Sequence, residues 1–593
     1  MKIKGRETEN TNSETRFLRA PTLKECLERI IIKEDEKKFT GLHKLVSNPE
    51  FLMIAYNNLR KNKGLETAGV DGKSLDGINY DKFKTLGKKI HTGAYSPKPA
   101  KRVCIIKPNG GTRPLGLPSA VDKIPQEAIR MILEHIYEPK FLPTSHGFRP
   151  KRGCHTALNY YKMRFQGVSW LINMDIKGCF DNINHGQLIR VLEKDISDKP
   201  FFDLMWKFLK AGYVFNSKLY QSKLGVPQGS IIGPILSNIY LHKLDVYMQR
   251  MKISYDTGTR RRSNPAYTRI IHKGKHSGRI ARKQGILPLM MDDKTFKRLI
   301  YIRYADDFII GIDSSKESAY EVYENVKKFL MEVLKFDIKN NSKILHFRTE
   351  RSMFLGVELK GNQLSLVPTI KYLGRKARSS LRPLIIMPME KIRMKLVEYK
   401  FMKIKGKVYK PTRCGRLIHH DLHEILNYYN AIYRGLCGYY HICMNRALLG
   451  NIHYFLKYSC ALTIASKMKL KTKHKVFQKY GGDLSITLGG RTQKFVEIDY
   501  WKRLKPSYEH KKPILDNLRK YTNHTPKVSL FDRCISCGST DKLEMHHMNK
   551  QSNIRKSLSY LGRIEVANLR KQVVLCKACH IKVHQGSYSG KKL

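Results

Sequence analysis

The run LIYIRYADDFIIGI, residues 299–312, sets two carboxylates, Asp306 and Asp307, inside an apolar, β-prone stretch. Successive strand side chains point to opposite faces, so the two can share an edge only where the chain turns between its apolar halves. A third carboxylate, Asp175, ends the apolar run of SWLINMDIKGCFDNINH. Acidic groups gathered together raise one another's pKa. Divalent cations remove that penalty, and two of them about 4 Å apart can clamp the entering and leaving oxygens of a phosphoryl transfer. Mg²⁺ suits a few carboxylates completed by substrate phosphates. Any one of these aspartates alone reads as a turn or cap. A strand-ending Asp combined with a strand–Asp–Asp–strand hairpin favours chemistry.

A second group lies near the C-terminus. Cys534/Cys537 and Cys576/Cys579 form two CxxC pairs, a thiolate set suited to a tetrahedral structural Zn²⁺. The insert between the pairs holds His546, His547 and Asn568, and His580 and His584 follow. A zinc knuckle alone has no need of these histidines. The four-residue spacing of His580 and His584 puts them on one helical face. The other eight of the twelve cysteines are scattered and read as inert thiols rather than a disulfide scaffold.

The elements that must position these groups follow from pattern. TLKECLERIIIK reads as an amphipathic helix after a polar start, and residues 41–95 as helix, Gly-rich turn and helix. YSPKPAKRVCIIKPNGGTRPLGLPS is a hairpin around PNGG, and VDKIPQEAIRMILEHIYEPKF a helix. The strand before Asp175 breaks at Gly178 and leads into a helix, and GVPQGSIIGPILSNIYLHKLDVYMQ is a loop followed by a long helix. A basic insertion spans 246–298. Its Arg-, Lys-, Ser- and Gly-rich part, 251–283, is expected to be exposed and ordered only on a polyanion. Residues 370–480 read as helical and aromatic-rich.

Lys+Arg number 111 against 50 Asp+Glu, a formal +61 over 593 residues. Such a surplus attracts polyanions and releases their counterions, so nucleic acid is the leading partner. No long uncharged apolar run and no basic amphipathic anchor is found, so a membrane is not expected. The first residues lack a signal-peptide core, and Glu7, Glu9 and Glu14 argue against a transit peptide. The protein is expected to stay where it is made. Its Lys, Asn and Ile richness suggests an AT-rich genome, with a mitochondrion preferred and a plastid or bacterial cytoplasm as alternatives.

YADD at 304–307, DIKGCFDN, GVPQGSIIGP, NKGLETAGVDGKSLDGI at 62–78, KPNGGTRPLGLPSAVDKIPQEAI at 107–129, HGFRPKRGCHTAL at 146–158 and FLGV at 354–357 resemble, in this order, the blocks of reverse transcriptases encoded by group II introns. RCGRLIHHDLHEILNYYNAIYRGLCGYY (413–440) and LKYSCALTIASKMKLKT (456–472) resemble the maturase region of that family, and the Cys/His tail resembles an HNH endonuclease. The resemblance implies a multidomain α+β chain. Its parts are an N-terminal extension (1–40), right-hand polymerase fingers and palm (41–365), a helical thumb or maturase domain X (366–480), a basic DNA-binding linker (481–530), and a small zinc-stapled ββα HNH domain (531–593).

The resemblance also implies roles. Asp175 and Asp306, assisted by Asp307, would hold two Mg²⁺ ions. Lys107 and Arg113 would grip the incoming triphosphate. Phe180 would crowd the ribose 2′-OH, Gln228 would line the nucleotide site, and Gly229 would let the backbone approach closely. Lys343 is a further substrate candidate. Arg413, Arg416, Arg434 and Lys467 would contact RNA, whereas Leu422, Ile425, Leu426, Tyr429 and Ile432 have core spacing. In the tail His547 would be the general base, Asn568 would orient it, and His546, His580 and His584 would hold a catalytic divalent ion beside the structural zinc. A purely structural zinc-stapled DNA-binding module stays open for this unit. The implied partners are intron RNA, target DNA and dNTPs, with a homodimer left open. The implied function joins RNA-directed DNA polymerisation, splicing assistance and DNA nicking for intron homing. A splicing-only maturase with a vestigial polymerase and a DNA endonuclease with a degenerate attached domain are the alternatives.

Overall fold

The computed structural model describes residues 31–499 and 533–587, except 34–37, 61–66, 74–79, 107–110, short stretches between 273 and 294, 341, 348, 362–368, 373–374, 379–382, 407, 489–490, 541–542 and 548–571. Ile31–Lys33 pairs antiparallel with Lys38–Thr40, so the end of the expected amphipathic helix is a strand. Consecutive β-branched isoleucines favour that state. The rest of that helix lies outside the described residues. Helices Leu42–Val46, Pro49–Arg60 and Tyr80–His91 follow.

The expected hairpin joins Ala100–Ile106 to Thr112–Leu117, with Lys101 opposite Leu117 and Ile106 opposite Thr112. Tyr213–Phe215 adds in parallel to its first strand, and Lys218–Tyr220 completes a four-stranded sheet. Helix α1 (Lys123–Tyr137) is buried on nearly every side.

The sheet that carries the acidic residues consists of β1 (Trp170–Asp175), β2 (Arg298–Tyr304), β3 (Asp307–Asp313) and β4 (Lys343–His346), in the order β4–β1–β3–β2. All neighbours are antiparallel. Its strands are apolar on both faces because both faces are covered. Ile172, Met174, Phe308 and Ile310 enter one core with helices α2 (Gly233–Tyr255) and α3 (Lys316–Glu332). Leu171, Ile302 and Ile309 enter a second core shared with the helices downstream.

The basic insertion is largely exposed, as expected, but parts of it are tied to the rest of the chain. Helix α2 runs on to Tyr255, Thr257 bridges Lys297, and Ser263 bridges Leu289. The Arg261 guanidinium pairs with Asp313, both buried, and Asp293 accepts from the Arg262 backbone at 2.7 Å and from Thr295 Oγ1 at 2.7 Å. Internal carboxylates anchor Arg261 and Arg262, and the Arg262 side chain stays 60% exposed.

Beyond a small sheet of Ser352–Phe354, Val357–Lys360 and Leu384–Ile386, the chain is not purely helical. Strands β5 (Met402–Lys405) and β6 (Val408–Pro411) form a hairpin through Gly406, at φ 63°. The alternation KIKGKVYKP at 403–411 explains it. Helix α4 (Leu422–Tyr440) starts with a capping box between Asp421 and Glu424, and α5 (Leu449–Lys467) packs along it. Ile425, Leu426, Tyr429 and Ile432 are buried, as their spacing indicates. Leu484, Ile486 and Phe495 join the same core, and Asn430 fastens Lys494 O and Val496 N. Packing thus carries this unit past residue 480, the expected boundary with the linker.

In the tail β7 (Leu543–His547) pairs with β8 (Gln572–Cys576), and α6 (Lys577–Gln585) follows directly. Among the described residues no helix is long and apolar enough to cross a membrane.

Candidate active sites and nucleic-acid surface

The turn between β2 and β3 is tight because Ala305 takes left-handed backbone, φ 57°. Asp306 stands in this turn and Asp307 opens β3, directly opposite Asp175 at the end of β1. Opposed residues of an antiparallel pair share a face, so the register brings Asp175 and Asp307 together. Burial, then the Asp175 charge, raise Asp306 above the ordinary carboxylate range, although a backbone N–H works the other way. Burial and the charges of Asp306 and Asp175 push Asp307 up to about 6. Lys339 opposes both shifts. Its ammonium lies 2.6 Å from Asp175 Oδ2, and its N–H donates to Asp175 O at 2.9 Å. Asp175 Oδ1 is buried and accepts no hydrogen bond from the described residues.

Beneath the turn lies a charged network that the sequence reading missed. Arg303 is fully buried and forks onto Asp245, at 2.8 Å and 2.6 Å. It also donates to Ala305 O at 2.9 Å, Asn238 Oδ1 at 3.1 Å and Ser145 Oγ at 2.8 Å. Tyr301 donates to the same Asp245 at 2.9 Å. The guanidinium therefore holds the carbonyl of the left-handed residue on which the acidic turn pivots. The only sequence signal is an arginine inside an apolar strand.

Arg113, exposed on the hairpin, donates to Gln228 Oε1 at 3.1 Å, and Gln228 Nε2 donates to Asp181 Oδ2 at 2.9 Å. This chain links the hairpin, the PQG loop and the turn after β1. Asp181 was missed, although it stands inside the quoted DIKGCFDN. The loop approaches closely where glycine permits: a Cβ on Gly229, φ 115°, would sit 2.3 Å from Gly116 O, and one on Gly225 2.4 Å from Asp181 O. Phe180 is half-buried, edge-on to Phe148 at 6.1 Å. Lys343 is exposed at the start of β4 and lines an open cavity of about 730 Å³ with Asp175, Asp307 and Arg351. Lys107 lies outside the described residues.

Of the RNA candidates, Arg413 is exposed and donates to Ser466 Oγ at 3.1 Å. Arg416 lies over the Tyr399 and Phe401 rings, at 5.5 and 5.7 Å. Arg434 is exposed, and Lys467 turns its ammonium to Ile418 O at 3.3 Å. Arg413 and Lys467 lie on adjoining segments, since Arg413 meets Ser466 beside Lys467 and Lys467 meets the segment that carries Arg413 and Arg416.

The tail separates two ligand sets. Donor atoms of Cys534, Cys537, Cys576 and Cys579 lie within 4.8 Å of one another, as do those of His546, His580 and His584. Burial works to raise the Cys534 thiol, but backbone N–H groups of Cys537 and Cys576 outweigh it and bring it down to about 6. Glu544 Oε2 accepts from His580 Nδ1 at 2.6 Å. A carboxylate only accepts, so His580 keeps its proton on Nδ1 and presents the Nε2 lone pair, 3.0 Å from His584 Nε2. Glu544 is a further residue the sequence reading missed. His547 ends β7 opposite Gln572, and Asn568 lies outside the described residues.

Residues 105–359 match the family described as "Reverse transcriptase (RNA-dependent DNA polymerase)", 380–531 "Type II intron maturase", and 534–580 "AI2M/AI1M-like, HNH endonuclease". The chain is 34% identical over 591 residues to the group II intron-encoded protein LtrA of Lactococcus lactis subsp. cremoris, covering 93% of this chain and 98% of that protein. The chain belongs to the group II intron-encoded proteins. Among other relatives of this intron-encoded protein is the putative COX1/OXI3 intron 2 protein of Saccharomyces cerevisiae, 37% identical over 581 residues, 93% of this chain and 67% of that one. The uncharacterized 91 kDa protein in cob intron of Schizosaccharomyces pombe is 33% identical over 559 residues, 91% of this chain and 68% of that one. This group II intron protein is thus a reverse transcriptase, a maturase and an HNH endonuclease in one chain, with a mixed α/β reverse transcriptase fold and intron RNA and DNA as partners.

Proposed function

We propose that Asp175, Asp306 and Asp307 hold the two Mg²⁺ ions of the polymerase. The Asp175–Asp307 register around the left-handed turn carries this assignment. The residues fit: Asp175 Oδ1 is a buried oxygen without a hydrogen-bond partner among the described residues, and Asp307 is raised by burial and then by its acidic neighbours. When bound, the ions stabilise charge on the oxygens of the transferred phosphoryl group. Arg113 and Lys107 bind the triphosphate of the dNTP and Gln228 orients it, itself held by Asp181. Phe180 blocks the ribose 2′-OH position. Lys343, in the cavity beside Asp175, faces the nucleic-acid backbone.

In the tail the four thiols take a structural Zn²⁺. A tetrahedron with Zn–S of about 2.3 Å spaces sulfurs at about 3.8 Å, and Cys537 and Cys576 stand 3.6 Å apart. His546, His580 and His584 take the divalent ion of the endonuclease, His547 removes the proton of the attacking water, and Asn568 orients it. Arg413, Arg416, Arg434 and Lys467 contact intron RNA in a ribonucleoprotein. We take the chain as fingers and palm (41–365), thumb (366–480), linker (481–530) and HNH unit (531–593), and packing of Leu484, Ile486 and Phe495 supports extending the thumb core to Phe495. We place synthesis in a mitochondrion. Relatives from yeast introns and from a bacterium are compatible with a mitochondrial or a bacterial setting.

Asp306→Ala is expected to abolish primer extension and leave splicing largely intact; surviving extension contradicts the metal assignment. His547→Ala is expected to stop second-strand nicking alone, and lost splicing contradicts the modular reading.

A further inference from the structure

An open cleft of about 520 Å³ lies between the β5–β6 hairpin and the C-terminal end of α5. That is within the roughly 300–1,000 Å³ of small-ligand sites. Its lining combines two chemistries. Lys403, Arg413, Lys469 and Lys471 supply cations, Leu462 and Ala465 supply apolar surface, and among the described residues no carboxylate lines it. The walls are fixed. Thr412 N donates to Phe401 O at 3.0 Å, Ser459 Oγ to Thr412 O at 2.6 Å, and Cys414 N to Thr463 Oγ1 at 2.9 Å, so the strand leaving β6 is clipped to α5. A cleft built this way needs little ordering when it binds.

Lys469 and Lys471 hold left-handed backbone, φ 55° and 60°. Glycine takes that conformation without steric penalty, and lysine does not. As at Lys335 and Lys400, the left-handed turn ends a helix, and here it sets two exposed cations beside the cleft.

We infer that this cleft takes one unpaired nucleotide of an RNA strand, its base against Leu462 and Ala465 and its flanking phosphates on Lys403, Arg413, Lys469 and Lys471. The inference rests on the reading that the helical unit binds RNA, and it gives that surface a site for extruded bases. Phosphate contacts alone would leave the apolar lining without a role, and an apolar ligand would leave the four cations unmatched.

The test uses the full chain and two fluorescent RNA hairpins, identical except for one unpaired adenosine. Anisotropy at several salt concentrations should show about tenfold tighter binding of the bulged hairpin, the scale of removing roughly 55 Å² of apolar surface from water. Lys469→Gly combined with Lys471→Gly removes two cations and relieves the backbone. The thermal midpoint should therefore not fall, while the preference disappears and the salt slope drops by about 2. Ser466→Phe should fill the cleft and abolish the preference while leaving fully paired RNA bound. Equal wild-type affinity for the two hairpins overturns the cleft proposal alone, as does a preference that survives in both variants. Failure to bind either hairpin overturns the RNA-binding reading with it.

Discussion

Replacing Lys339 with methionine tests the charge balance of the carboxylate cluster. The ammonium is 2.6 Å from Asp175 Oδ2, and it lowers both Asp306 and Asp307 against the effect of burial. Two unit charges at about 4 Å attract by roughly 4 kcal/mol at an effective dielectric of about 20. Lys339 is 42% exposed, and solvent screening reduces the net contribution to about 1 kcal/mol. That corresponds to about fivefold in a binding constant. Without metal, the variant should be less stable by about this amount at neutral pH. Mg²⁺ should cancel this difference, because a positive charge no longer competes at Asp175. The Mg²⁺ concentration that half-restores the unfolding midpoint of the polymerase unit should fall about fivefold, and the two proteins should converge at saturating ion. Midpoints followed from EDTA through a Mg²⁺ titration give both quantities without relying on activity. An unchanged or higher Mg²⁺ requirement would falsify the idea that Lys339 stands in for a cation.

The same cluster sets a pH response. Asp307 binds its proton up to about pH 6 in the fold but only to 3.8 ordinarily, so the metal-free protein should lose stability as pH rises from about 4 to about 6. Mg²⁺ should flatten that slope, and a flat thermal profile in EDTA would contradict it. Arg303→Lys leaves Asp245 and Ala305 O short of donors in a dry core; a loss of about 3 kcal/mol in denaturant unfolding is expected, and a change under 1 kcal/mol would rule out the pivot role. Glu544→Gln should lower nicking by roughly 10- to 100-fold with unchanged primer extension, the counter-result being full nicking with the same divalent-ion requirement. Cys534→Ser should remove one equivalent of zinc by metal analysis and destabilise the tail while splicing continues; retained zinc would show that the four thiols are not its ligands.

The acidic hairpin was legible because two charges interrupt an apolar run, and the tail because CxxC pairs and histidines are local patterns. Arg303 was not, since Asp245, Asn238 and Ser145 lie 58, 65 and 158 positions away. The insertion was legible as an exposed basic segment, but its anchor was not, for the same reason: Arg261 meets Asp313, 52 positions on. The β5–β6 hairpin was hidden by lysines, which alternate along it without the apolar face that usually marks a strand. Phe180, Gln228 and Arg113 were legible as types, but the Arg113–Gln228–Asp181 relay exists only once three distant segments meet.

The acidic sheet is also a wall of the helical unit. Leu171, Ile302 and Ile309 pack in the core that contains Ile425, Tyr429, Leu456 and Ile464. A lineage that stopped copying RNA could discard Asp175 or Asp306 at little cost to folding, yet it could not discard the strands that bear them. Loss of the β-sheet would open the hydrophobic floor under the maturase helices. Decay of such a chain toward splicing alone should therefore erode the turn first and leave its scaffold standing.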